Sequence, residues 1–156
     1  MFKGVRRSYT LLILFLEEVI AELGTDRGLE MLQAAVENQA DVIQEELFRE
    51  QSMDSHPLDI GDAIYRTFME EAGAEVVVHE RDDSSVTYRV GRCPFYEAFL
   101  DVGINCGYFL EGLCGNLTLP AIQAILSRFD RRLRMESRVI RGSAEEFCLE
   151  KVSLKA

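Results

Sequence analysis

Two switches from helical to alternating hydrophobic period predict an α+β domain. Apolar residues recur at helical spacing through residues 1–73, and at every second residue in two stretches of residues 74–156. No repeat, low-complexity tract or linker divides the chain, so residues 1–156 read as a single domain, long enough to bury a core without staples. The expected architecture is a set of N-terminal helices packed on a four-stranded antiparallel sheet, made of two hairpins separated by helices.

The first helix is expected over about residues 6–22. Gly24 is placed to end it, because only glycine takes the left-handed conformation cheaply. Thr25 can cap a second helix, in which Leu29, Leu32, Val36, Ala40, Ile43 and Leu47 form one stripe while Glu30, Glu37, Asp41 and Glu45 occupy other faces. A loop over residues 51–57 ends in His56-Pro57. Asp59 and Asp62 resemble the start of a third helix with Ile60, Ile64 and Phe68 on its buried face, and Gly73 stops it.

From there the period shortens. Residues 75–80 and 86–90 are β-rich and joined by the polar turn of residues 81–85, which predicts a hairpin. Cys93-Pro94 breaks the second strand, and residues 95–102 fit a short helix. A further helix is expected over about residues 105–114, followed by another with Thr118 and Pro120 as cap and first turn and with Ile122, Ile125, Leu126 and Phe129 on its apolar face. Leu133, Met135, Ser137 and Val139 alternate with Arg134, Glu136 and Arg138. A turn at residues 142–145 and a last strand over residues 147–154 complete the second hairpin.

The formal net charge is −10, which repels phosphate backbones, so no nucleic-acid partner is expected. Lys3, Arg6 and Arg7 precede the apolar run of residues 11–16, but Glu17 and Glu18 follow at once without a small-residue cleavage site. The run is too short to span a bilayer. A cytoplasmic protein without a membrane partner is therefore expected, with its four cysteines reduced.

All four cysteines lie between residues 93 and 148. Phosphate-binding loops, dinucleotide fingerprints, His-Glu-x-x-His, Gly-x-Ser-x-Gly and Cys-x-x-Cys are absent. Without paired-ligand spacing the cysteines read foremost as small core residues and no cofactor is expected, a zinc site drawn from three or four of them being the lesser alternative. Cys106 and Cys114 lie eight residues apart, which on a helix turns them by roughly 80°, so both could border one cavity. Cys93 precedes a short helix whose N-terminal amides could stabilise a thiolate. Glu97 and Asp101 are spaced to share a helix face, where they could bind a ligand's amino group or act as acid and base. Phe95, Tyr96, Tyr108 and Phe109 are candidates to line an apolar pocket, with Glu111 embedded among them.

The order Arg92-Cys93-Pro94, Glu97, Gly103, Cys114, then a turn and strand from Gly142 to Cys148, resembles the L-2-amino-thiazoline-4-carboxylic acid hydrolase-like family. Residues 106–113 and the Gly142-to-Cys148 ending are similar to the related four-vinyl reductase domain, a small-molecule-binding module. The first resemblance implies a hydrolase that opens a cyclic C=N bond, with Cys93 and Cys114 at the matching cysteine positions and Glu97 nearby. Where that family tends to carry an acid after the second cysteine, this chain has Asn116. The second implies an α+β fold, homodimers and a non-catalytic, sensor-type site. In some sensors that site holds zinc, and Cys106, Glu136 and Cys148 stand near the corresponding places, with Arg138 near that of a further cysteine. The site residues expected are thus Cys93, Glu97 and Cys114 for catalysis, and Phe95, Cys106, Tyr108, Phe109, Glu111 and Asn116 for a small-molecule ligand.

Overall fold

A computed structural model describes residues 1–50, 54–103 and 114–156. Helix α1 (Phe2–Leu23) starts four residues earlier than its pattern suggested, and buries Ile13 and Leu16. It ends at Gly24, whose φ of 86° lies in the region that favours glycine and whose amide donates to the Ile20 carbonyl at 2.8 Å. Helix α2 (Thr25–Glu50) folds back, burying the stripe of Leu32, Val36 and Ala40. Helix α3 (Pro57–Glu71) is capped by His56, whose ring Nδ1 accepts from the Leu58 amide at 3.3 Å. Asp59 lies in its first turn rather than at the cap.

Strands β1 (Val76–Arg81) and β2 (Ser85–Val90) form the first hairpin, and β3 (Leu133–Val139) and β4 (Cys148–Leu154) the second. The order β1-β2-β4-β3 makes one antiparallel sheet, because β2 and β4 pair directly. Between the hairpins lie α4 (Pro94–Val102), a π-helical turn (Cys114–Thr118) and α5 (Leu119–Phe129). The expected helix over residues 105–114 falls, except for Cys114, outside the described residues. Thr118 precedes α5 in helical geometry without capping it through its side chain. Phe147 belongs to the turn before β4, not to the strand.

The alternation in the strands decides what reaches the interior. Val86, Tyr88 and Val90 point inward, opposite Val152, Glu150 and Cys148 in register. Helix α3 covers this face, with the Tyr65 and Tyr88 rings stacked at 4.1 Å. Gln123 of α5 reaches the edge strand, donating to the Leu133 carbonyl at 3.1 Å and accepting from the Met135 amide at 2.8 Å. Buried side chains from all five helices and from the sheet form one cluster. Among the described residues no helix is long and apolar enough to cross a membrane.

Candidate functional site

The site is built where β2 runs out. Val90 and Gly91 lead through Arg92 to Cys93, which is extended (φ −138°, ψ 121°) and passes directly into Pro94 at the start of α4. Proline has no amide to satisfy in a first turn, so the corner forms without cost to the helix. Arg141, from the connection between β3 and β4, crosses to this corner and is only 4% exposed. Its Nη2 donates to the Val90 carbonyl at 2.7 Å and also to that of Gly91, while Nε points to Cys148 Sγ at 3.2 Å. The guanidinium sits 4.9 Å from the Tyr96 ring centre.

These groups wall a cavity of about 220 Å³ lined by Arg92, Cys93, Tyr96, Glu97, Arg141 and Phe147, among others. Nη1 of Arg141 has no acceptor among the described residues. A nearly buried cation therefore borders the cavity. Larger hollows of about 350 Å³ lie between α2 and α5 and beside His56 and Asp59, and no cysteine lines either.

Behind the cavity lies a second buried ionisable group. Glu150 points inward from β4 and accepts from the Tyr65 hydroxyl at 2.5 Å. Burial pushes its carboxyl up, and the Tyr65 hydrogen bond and the charge of Arg141 pull it back. On the other side of the stacked tyrosines, Tyr88 donates to Asp62 at 2.8 Å. Asp62 also takes both Arg66 and Arg81, so the buried carboxylate is fully engaged.

The Cys93 and Cys114 thiols are held away from reactivity. Burial pushes the Cys93 thiol up to about 12. The amides of Tyr96 and Phe95 at the start of α4 pull it down, as the sequence suggested, but desolvation outweighs them and Glu150 opposes them. Burial likewise raises the Cys114 thiol, with Cys93, Glu150 and Cys148 adding to it and Arg141 opposing.

Of the expected catalytic residues, Cys93 and Glu97 border the cavity and Cys114 lies close enough to Cys93 for their charges to interact. Glu97 and Asp101 do share a face of α4, and what they hold is Arg6 of α1, which reaches Glu97 at 2.6 Å and Asp101 at 2.5 Å. Arg92 also donates to Glu97 at 3.0 Å. Phe95 is buried against Tyr9, with ring centres 4.3 Å apart, and is not part of the cavity wall. Asn116 sits partly buried in the π-helical turn. Cys106, Tyr108, Phe109 and Glu111 lie outside the described residues. Both histidines are exposed, His56 at the cap of α3 and His79 on β1, and neither lines the cavity.

Arg141, Glu150 and Tyr65 were not singled out in the sequence. Glu150 had a signal: it occupies the inward phase of β4, between Cys148 and Val152. Glu136 and Cys148, which the second resemblance brought together, project from opposite faces of the sheet, since Glu136 pairs with the outward Lys151. Among the described residues no group of three or more His, Cys, Asp or Glu side chains is placed to hold a metal ion.

No family model matches the chain, and no curated protein matches it. A solved structure does: trafficking protein particle complex subunit 3 from Naegleria fowleri, described as covalently bound to palmitic acid. The two superpose with a TM-score of 0.56 over 96% of each chain, at 12% sequence identity. The likeness is one of fold. It extends over nearly the whole of both chains, so the mixed helix-and-sheet architecture described above is shared from end to end.

Proposed function

We propose that this protein binds a small carboxylate with an apolar body in the cavity beside Cys93, and that it does so without catalysis. The observation that carries this reading is Arg141: nearly buried, held in place by two carbonyls and a thiol, and part of the cavity lining. A guanidinium fixed in this way is pre-organised for a planar anion. Tyr96 and Phe147 supply apolar surface beside it.

The geometry supports binding over the aminothiazoline hydrolase reading on three counts. Cys93 stays protonated at neutral pH, Glu97 is occupied by Arg6 and Arg92, and neither histidine lines the cavity to act as a base. The trafficking subunit of like fold is described as covalently bound to palmitic acid, which lends the idea of an apolar ligand but no residue and no anion. A homodimer belongs to the same sensor-type reading.

Thermal melting against a panel of aryl and alkyl carboxylates tests the proposal. A ligand at a hundred times its dissociation constant should raise the melting temperature by about 5–10 °C. A panel that leaves the melt unmoved counts against it.

A further inference from the structure

The outward face of α1 carries three kinds of side chain in sequence. Lys3 and Arg7 come first, Leu11, Leu14 and Phe15 lie in the middle, and Glu18 and Glu22 come last, all of them exposed. Leu11 is 69% and Phe15 64% accessible. At 100° per residue these seven fall within an arc of roughly 120°, a single stripe. Among the described residues no ion pair engages Lys3, Arg7, Glu18 or Glu22. Arg6, on another side of the helix, is the basic residue that α1 spends on its own fold.

The order of charges is the reverse of what a lone helix favours. Its dipole stabilises acids near the N-terminus and bases near the C-terminus, yet α1 has no acid in its first turn and no base in its last. An antiparallel neighbour with the same sequence removes the conflict, because each basic end then meets an acidic end.

We infer that α1 pairs antiparallel with α1 of a second copy about a two-fold axis between Leu12 and Ile13. In that register Arg7 faces Glu18, Lys3 faces Glu22 and Leu11 faces Leu14, each pair occurring twice. Phe15 packs beside Leu11 of the partner copy at the centre. The inference deepens the two-copy part of the proposed function and is independent of the cavity and its ligand.

Charge exchange tests it. Lys3→Glu with Arg7→Glu makes the stripe acidic throughout, and Glu18→Lys with Glu22→Lys makes it basic throughout. Molar mass by light scattering at micromolar concentration and low salt should show the unaltered protein as a dimer. Each double variant alone should associate about a hundredfold more weakly, and an equal mixture of the two should form a heterodimer. All four positions are exposed, so circular dichroism should show unchanged helicity. A monomeric unaltered protein would overturn both this surface and the two-copy reading. Dimers that ignore the exchange, or a mixture that stays monomeric, would overturn this surface alone. Sedimentation with anionic phospholipid vesicles in place of self-association would assign the stripe to lipid and overturn it as well.

Discussion

Iodoacetamide should find Cys93 a poor nucleophile in the folded protein. Its thiol is raised from an ordinary 9.0 to about 12 by burial, so at pH 7.5 the thiolate fraction falls about a thousandfold, from roughly 3% to roughly 0.003%. The rarer thiolate is the more basic one, and with a Brønsted slope of about 0.45 that returns a factor of about 20 in intrinsic reactivity. The net expectation is alkylation about 50-fold slower than for the same residue in urea-unfolded chain, before any steric protection is counted. Peptide mass spectrometry after timed quenching reads Cys93 separately from the other cysteines. Folded-state alkylation as fast as in the unfolded chain would refute the reasoning. It would mean that the amides of Phe95 and Tyr96 stabilise the thiolate more than burial opposes it, and a nucleophilic role for Cys93 would again be the better reading.

Three further outcomes follow from the geometry. Tyr65→Phe keeps the stack on Tyr88 but leaves the buried Glu150 without its hydroxyl donor, and should cost about 1–3 kcal/mol in urea melts. Because the folded carboxyl of Glu150 lies above its unfolded value, the folded state binds more protons, and its contribution to stability falls as pH rises from about 4.5 through the folded value. Tyr65→Phe raises the folded value further, so its deficit should be greater at pH 8 than at pH 4.5, and a deficit independent of pH would contradict this. Gly61→Ala puts a methyl 3.0 Å from Leu133 Cδ2 and 3.1 Å from Val152 Cγ1; the crowding should exceed the gain in helix propensity and destabilise by about 1–2 kcal/mol. Glu97→Gln removes a negative charge from the cavity wall and should tighten carboxylate binding about two- to fivefold by calorimetry, whereas weaker binding would place the ligand's positive group there instead.

The fold was readable because each element carries its own period. The stripe from Leu29 to Leu47 and the alternation from Leu133 to Val139 need no knowledge of the rest of the chain, and Gly24 marks its turn by a conformation few residues share. The pairing of β2 with β4, which joins the hairpins, is a long-range choice that local pattern does not encode. The site divides the same way. Cys93 at a helix start and Glu97 with Asp101 on one face were legible from spacing alone. Their occupant, Arg6, comes from the N-terminal helix, and Arg141 from the turn between the last two strands, which no motif near Cys93 announces. The influence of the helix amides on Cys93 was legible in direction, but the desolvation that outweighs it depends on what packs around the corner, and that is a property of the folded chain.

The central claim is recognition of an anion by Arg141, and changing the ligand's charge tests it while leaving the buried arginine in place. Native mass spectrometry of the unaltered protein with matched pairs of small aryl or alkyl carboxylates and their primary amides isolates the contribution of the charge. The account predicts retained adducts with at least one carboxylate and at least tenfold weaker retention of its amide. Equal retention of both members of each pair, or of neither, would contradict it.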